Sequence, residues 1–558
     1  MYTINHQNIN SKLLDLKDFS LPTNANSSPL RIYERIPSSV VDIYDFEMIF
    51  HDQKTMELIR NGNTIGCFYI ESPGMRSLLK RLSCDTFEML TAASSIIRPG
   101  VAESGMMQEF IDRHHDVRKR KYLVPEMEEY LGETYGVMIY QEDVIKVAHH
   151  IAGLSLEEAD LLRRAMSGKM RSHEAMQKIK DNFFTSCKNK NYTDEIANEL
   201  WRQIESFAGY AFCKAHSGSF AMLSYQVAYL KAHFPAEFMA GVLTNRGGYY
   251  APAVYIQECK RLGLKVYLPC VNNSGYEYLG YKDEIRIGLM ALKNLTKNTI
   301  DNIINERERR GKYKSLLDFV IRTKIGKAEV KILTIVGAMD CFAGTRLSHY
   351  RNIDLIFSYN EELSNCQNEL FPKYLSSNIK FFKETDNYRI EEICTFEYEH
   401  LGYMVTQHPL YFYRKYTERE DIVKAKDMKN FNNQKIKMIG WFMTSKRIKT
   451  KKGNIMKFLS LEDESDTFEA VIFPKVYEQY AEIIMSMGPY LVYGKVDSKN
   501  GNNLIVEKIA VLSYKTVQSS LFKDSVENTY FGDVENFYDD ELDIISGLDT
   551  EKYKTAYL

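Results

Sequence analysis

Two adjacent guanidinium groups, a segment that interleaves aromatics with cations, and a lysine-rich hairpin are the features of this sequence with chemical reach. Arg163 and Arg164 lie near the end of a helix that Ser155-Leu-Glu-Glu158 opens as a capping box. There the serine hydroxyl serves one orphan N–H and the glutamate returns the bond. Ala159, Leu162, Ala165 and Met166 form one apolar stripe at helical spacing, with Arg163 at its edge and Arg164 on the far side. Two readings stay open. Both arginines interact favourably with the helix dipole and with water, or they offer two forks to a polyphosphate, whose oxygens match guanidinium geometry. Further on, Phe207-Ala-Gly-Tyr-Ala-Phe-Cys-Lys-Ala-His216 sets Tyr210, Phe212, Lys214 and His216 on what reads as a short loop before a long helix. Such a loop suits a nucleotide through stacking and cation contacts, although a lone histidine there also fits a purely structural role.

The third feature is a run of charge. Between Lys435 and Ser460 stand eight basic residues and no acid: Lys435, Lys437, Lys446, Arg447, Lys449, Lys451, Lys452 and Lys457. Trp441, Phe442 and Phe458 interleave with them. A cationic strand face carrying aromatics is a platform for single-stranded nucleic acid; the alternative is a hairpin kept soluble by its lysines.

The elements that must hold these groups follow from hydrophobic period. Residues from roughly 50 to 245 and from roughly 285 to 350 carry helical spacing. Phe220, Leu223, Val227, Leu230 and Phe234 predict a long helix with that stripe in the core, stopped by Pro235, which starts the next helix to Thr244. From Lys435 to Val511 the period becomes two. Ile436–Met443, Met456–Leu461, Phe468–Phe473, Tyr490–Val496 and Leu504–Val511 read as strands, with a helix from Lys475 to Met487 between the third and fourth. Lys452-Gly-Asn454 and Asn500-Gly501 supply turns. That order predicts an OB-fold barrel.

Composition narrows the rest. The 558 residues predict three or four domains, and 44% hydrophobic against 26% charged residues supports real cores. Lys+Arg 72 against Asp+Glu 74 leaves a net charge of −2, so nucleic-acid binding has to be argued from local patches. No apolar run reaches the length of a membrane span, and Met1-Tyr-Thr-Ile-Asn-His6 lacks the pattern of a signal peptide. Nine cysteines without CxxC spacing argue against a disulfide framework or a cysteine-based zinc site, and make a reducing cytoplasm the expected location. His114-His115 and His149-His150 are adjacent pairs that cannot share a metal on one helix face, and read as structural.

The sequence resembles the C-terminal half of the bacterial DNA polymerase III alpha subunit, the C-family DNA polymerase. The resemblance rests on collinear motifs: Thr64-Ile-Gly-Cys-Phe-Tyr-Ile-Glu-Ser-Pro-Gly-Met75, Arg98-Pro-Gly100, Ser104-Gly-Met106, Tyr135-Gly-Val-Met-Ile-Tyr-Gln-Glu142, Ala159-Asp-Leu-Leu-Arg-Arg-Ala-Met166, Phe207 to His216, Ser224-Tyr225 and Leu230-Lys-Ala-His-Phe-Pro-Ala-Glu-Phe238. It implies a multidomain α+β chain, with mainly helical fingers and a tandem helix-hairpin-helix module followed by a β-barrel OB-fold. The implied division is a partly irregular connector at 1–49, fingers at 50–270, the helix-hairpin-helix module at 271–355, a connector at 356–434, the OB-fold at 435–515 and an acidic tail at 516–558. Arg163 and Arg164 would hold the incoming dNTP triphosphate, and Lys214 and His216 would line the nucleotide pocket. Gln141 and Glu142 fall in a segment that packs near the template.

In the hairpin module, Asn294 and Thr296 stand where the first hairpin favours two glycines, which points to a lost phosphate contact there. Val336-Gly-Ala-Met-Asp340 is similar to the second motif, with Arg346 and Arg351 beside it as DNA-binding candidates. Gln367-Asn-Glu-Leu-Phe371 and Gln518-Ser-Ser-Leu-Phe522 both look like the peptide that engages the sliding clamp. The family's order favours Gln367, Leu370 and Phe371.

What the resemblance implies elsewhere is a Mg²⁺ site made of palm carboxylates. The Pro-Asp-x-Asp-x-Asp stretch that carries them does not occur in these residues, nor does any His-x-His of the family's phosphoesterase-like domain. Asp42, Asp45 and Glu47 fall in the connector and are given no catalytic role. Two expectations result. Either a second polypeptide supplies the palm and this chain binds dNTP, primer-template and single-stranded DNA, or the chain is a non-catalytic protein that binds DNA and the clamp.

Overall fold

Side-chain caps set the first helices. Asp52 accepts from the backbone N–H of Thr55 ahead of Gln53–Arg60, Ser72 from Met75 ahead of Pro73–Leu82, and Thr86 from Met89 ahead of Phe87–Ile96. The structure, a computed structural model, describes residues 41–97, 105–166, 173–208, 212–366, 382, 385–450, 453–498, 501 and 503–512. Among these no helix is long and apolar enough to cross a membrane. A first core gathers residues from Ile49 to Tyr229, around the Lys214–His233 helix that packs on Phe87–Ile96 and Gln53–Arg60.

That helix differs from expectation in two ways. It begins at Lys214, so Lys214 and His216 belong to its first turn and not to a preceding loop. Its buried face is Ser217, Ala221, Ser224, Tyr225 and Ala228, whereas Leu223 from the predicted stripe is 48% exposed. Apolar residues stand on more than one side of the helix, so spacing alone could not choose a face. The small residues of the buried face let a neighbouring helix approach closely, as in the 2.6 Å contact between the Ser217 and Ser95 hydroxyls.

A second core runs from Ala236 through the hairpin region to Val405 and takes in Ile65 and, from the barrel, Met443. Lys231 joins the two cores. Its ammonium is buried and donates to Asn63 O, Ile65 O and Glu258 Oε1, each at 2.7 Å, which satisfies all three of its donors. A small sheet that the sequence did not announce lies here: β1 Lys265–Tyr267, β2 Leu279–Tyr281 and β3 Glu284–Arg286, in the order β1-β3-β2. Strands of three residues are too short to display a period.

The hairpins follow. Asn294 adopts the left-handed conformation (φ 65°), and Thr296 caps the helix Lys297–Arg310 by accepting from Thr299 N. Lys324 (φ 52°) and Gly326 repeat this arrangement between Leu316–Thr323 and Lys327–Ile335. The second hairpin turn is therefore Lys324-Ile325-Gly326. Val336–Asp340 is instead the turn that ends the last hairpin helix, with Gly337 at φ 94°.

The barrel closes in the order β4-β5-β6-β8-β7, from β4 Lys435–Lys449, β5 Ile455–Glu462, β6 Thr467–Ile472, β7 Tyr490–Asp497 and β8 Asn503–Val511. β6 and β8 pair in parallel; the other pairs are antiparallel. β4 runs on to Lys449 because its first part pairs with β7 and its second with β5, across a bulge between Phe442 and Thr444. Gly440 sits at this corner, where a Cβ would stand 2.6 Å from Leu461 Cβ. Between β6 and β7 lie a short helix, Pro474–Gln479, and a 3₁₀ turn at Ile483–Met485. The barrel is fastened to the rest by Arg76 Nη2 donating to Thr467 Oγ1 (3.0 Å) and by Arg261, which bonds Glu258 (3.1 Å) and Glu462 (2.8 Å).

Candidate nucleotide and nucleic-acid site

Arg163 and Lys214, 51 residues apart in sequence, are linked through the two sides of a single backbone rung. Tyr140 and Phe212 form an isolated parallel bridge, and Gln141 N donates to Phe212 O at 2.9 Å. On one side Arg163 Nη1 donates to Gln141 Oε1 at 3.1 Å. On the other, the Glu142 carboxylate caps the Lys214–His233 helix, accepting from Lys214 N at 3.0 Å. Lys214 Nζ lies 5.3 Å from the Tyr140 ring centroid and donates to Glu133 Oε2 at 2.6 Å. The Tyr140 hydroxyl is buried and has no partner among the described residues. Glu133 and Tyr140 were missed by the sequence reading. Tyr140 adjoins Gln141 in a motif already singled out, but nothing marks Glu133, 81 residues from the lysine it meets.

The cations are not bare. Asp160 accepts from both Nε and Nη2 of Arg163 (2.9 and 2.7 Å) and lies 2.7 Å from Arg164 Nη2. The hydrogen bonds from Arg163, with the charge of Arg164 behind them, hold Asp160 below the usual carboxylate range. Arg163 is half-buried and Arg164 exposed. Beside Lys214 opens a cleft of about 470 Å³ lined by Phe87, Glu88, Thr91, Glu133, Glu142, Ala215 and Gly218. Three carboxylates against one ammonium make this mouth acidic. The positive side of the site is at Arg163 and Arg164. His216 continues an aromatic row along the helix: its ring is 5.1 Å from Phe212 and 4.4 Å from Phe220, which stacks on Phe68 at 5.5 Å. Among the described residues no group of three or more His, Cys, Asp or Glu side chains comes together as a metal site.

In the hairpin module, Arg346, expected at the DNA surface, is turned inward to a partner of its own. It is 7% exposed, donates to both Asp340 oxygens (2.6–2.9 Å), and packs where a Cβ on Gly337 would stand 2.3 Å from its Nη2. A guanidinium used to close a turn has no fork left for phosphate. Arg351, on the same helix, is exposed. Asn294 takes up the left-handed conformation that a glycine was to supply, so the first hairpin keeps that backbone shape.

On the barrel, Lys446, Arg447 and Lys449 are exposed on β4, with Lys446 paired to Phe458 and Arg447 to Lys457 on β5. The other cations of the run are engaged. Lys435 binds Glu507 (2.8 Å), Lys437 binds Asp421 (3.0 Å), and Lys457 donates to Ile484 O (2.8 Å). Trp441 and Phe442 pack against apolar clusters of the barrel. Lys451 and Lys452 lie outside the described residues, as do Gln367, Leu370, Phe371 and the Gln518 peptide.

Comparison with known proteins agrees with this layout. Residues 34–191 match the bacterial DNA polymerase III alpha subunit finger domain, residues 263–348 a helix-hairpin-helix motif, and residues 436–512 an OB-fold nucleic acid binding domain. The finger match begins at residue 34 and so takes in Asp42, Asp45 and Glu47, which the sequence reading had set before it. The chain is 32% identical over 489 residues to the DNA polymerase III subunit alpha of Staphylococcus aureus strain MSSA476, covering 86% of this chain and 45% of that protein. It is 31% identical over 484 residues to the protein of the same name from Saccharopolyspora erythraea, covering 82% of this chain and 40% of that one. The chain thus spans less than half the length of these relatives. Over its finger, helix-hairpin-helix and OB-fold regions, it belongs to the bacterial DNA polymerase III alpha subunit family.

Proposed function

We propose that this chain acts in DNA replication or repair synthesis as the nucleotide- and DNA-binding part of a DNA polymerase. In this reading Arg163 and Arg164 take the triphosphate of an incoming dNTP, exchanging Asp160 for phosphate oxygens, and Lys214 and His216 line the pocket. The hairpin module and Arg351 hold primer-template, and the barrel face at Lys446, Arg447 and Lys449 tracks single-stranded template. The Gln367-Asn-Glu-Leu-Phe371 peptide engages the sliding clamp. The observation that supports the reading is the rung from Tyr140 to Phe212, which joins the segment whose Gln141 meets Arg163 to the segment that opens the helix at Lys214. In this reading palm carboxylates on another polypeptide would hold Mg²⁺, which would supply the Lewis-acid chemistry of the transfer.

The experiment is primer extension with the purified chain, Mg²⁺, dNTPs and primed template, with and without a palm-bearing polymerase fragment. Extension is expected only with the fragment present, and Arg163→Ala with Arg164→Ala weakens dNTP binding in that assembly. Extension by the repurified chain alone overturns the division of labour. Unchanged dNTP affinity returns both arginines to the helix-dipole role. DNA and clamp binding with no stimulation of any palm fragment favours the non-catalytic reading.

A further inference from the structure

Phe68 and Phe220 stack on each other at 5.5 Å between ring centroids, with their planes 21° apart, yet Phe68 is 47% exposed. The Lys214–His233 helix supplies one ring, and the loop between Gln53–Arg60 and Pro73–Leu82 supplies the other. Tyr69 joins them from the next position in the chain, its ring 4.8 Å from Phe220. Successive residues of an extended segment point to opposite sides. Tyr69 departs from that pattern by taking the left-handed conformation, φ 68°, in which a bulky residue is an outlier. The loop is held in this shape from two sides. The Ser224 hydroxyl lies 3.0 Å from Phe68 O and 2.8 Å from Phe220 O. The buried Glu71 carboxylate accepts from Gly66 N at 2.8 Å and from the Tyr255 hydroxyl at 3.0 Å. Strain braced in this way is typical of sites that present side chains to a ligand.

We propose that Phe68 and Phe220 form a ledge on which an unpaired base of the template strand stacks, beside the candidate nucleotide site. This rests on the reading of the chain as the DNA-binding part of a polymerase. The ledge continues a row of rings, Phe212, His216 and Phe220, spaced 5.1 and 4.4 Å, that starts at the rung with Tyr140. On the helix it runs on to Leu223, which is also exposed. Phe68, Phe220 and Leu223 carry no charge, so the contact they offer is to the face of a base and not to phosphate. His216 and Phe220 also lie about half a turn round the helix from Lys214 and Gly218, which line the acidic cleft. The ledge is thus a surface separate from that mouth. A base inside a duplex has both faces covered by its neighbours, which leaves an unpaired one to take the ring. In a primed template, the strand left unpaired beside the incoming nucleotide is the template.

The test uses the full chain bound to a primed template whose overhang carries 5-iodouracil at one unpaired position at a time. Irradiation joins the iodouracil to an aromatic ring stacked on it, and mass spectrometry of the digest identifies the residue. The expected result is a cross-link to Phe68 from one overhang position, kept in Phe68→Tyr and lost in Phe68→Leu, which melts like the parent. An abasic site at that position should weaken binding to the parent about five-fold or more, and should make no difference to Phe68→Leu.

Retained DNA binding with no cross-link to Phe68 or Phe220 from any unpaired position overturns the ledge and leaves the proposed function in place. An abasic site that weakens parent and Phe68→Leu equally does the same. Failure to bind primed template at all overturns both.

Discussion

The Thr299 hydroxyl donates to Glu329 Oε1 at 2.6 Å, joining the third residue of one hairpin helix to the third residue of the other. Glu329 Oε2 also accepts from Gly326 N at 3.2 Å, so one carboxylate closes a capping box and bolts the two hairpins together. Glu329→Ala is expected to lower stability by about 1–3 kcal/mol, read as a fall in Tm. Glu329→Gln keeps the shape and removes a negative charge beside two helix N-termini. It should tighten duplex DNA binding at low salt and lose that advantage as salt rises; equal affinity at all salts would turn these N-termini away from phosphate.

Arg346 and Arg351 separate structure from binding on one helix. Arg346→Ala removes a buried guanidinium that packs the turn and leaves the exposed Asp340 without its partner, and should cost about 1–2 kcal/mol. Arg351→Ala should change stability by no more than about 0.5 kcal/mol and reduce the log-affinity against log-salt slope for duplex by about 1. Thermal melts and a salt titration of both variants decide the assignment.

For the barrel, replacing Lys446, Arg447 and Lys449 by Ala should flatten the salt slope for single-stranded DNA by about 2, at roughly 0.7 per phosphate contact. An unaltered slope removes this face from the binding surface. Lys435→Ala serves as the control, because its ammonium already belongs to Glu507.

Glu469 should make stability depend on pH. Burial pushes its carboxyl up to about 7, against the Ser460 hydrogen bond and the charge of Arg76, which act to lower it. A raised folded value means that the native chain keeps a proton the unfolded chain has released. The stability it contributes is full below the ordinary carboxyl range and is lost as pH rises through about 7. Glu469→Gln should therefore melt higher than the parent at pH 8, with the gap closing by about pH 5. A constant gap across that range would show that the carboxyl ionises normally.

The barrel was readable because its strands keep period two, and all five observed strands coincide with alternating segments. What spacing could not reveal was long-range company. Arg346 beside a glycine turn reads as a free cation until Asp340, six residues earlier, is seen to hold it. Lys435 and Lys437 count as platform charges until Glu507 and Asp421 claim them. The Lys214–His233 helix misled for another reason. With apolar residues on more than one side, its sequence offered no single preferred face.

The fastenings of the barrel have a consequence for how a strand could travel over the molecule. Arg261 is 11% exposed and bonds Glu258 from its own helix and Glu462 from β5, so lifting the barrel would strip a guanidinium of two acids at once. The β5–β6 side is thereby moored, and the far end of β4 is left as a fixed promontory. Arg76 and Arg261, both away from that exposed end, thus help to hold the barrel in place.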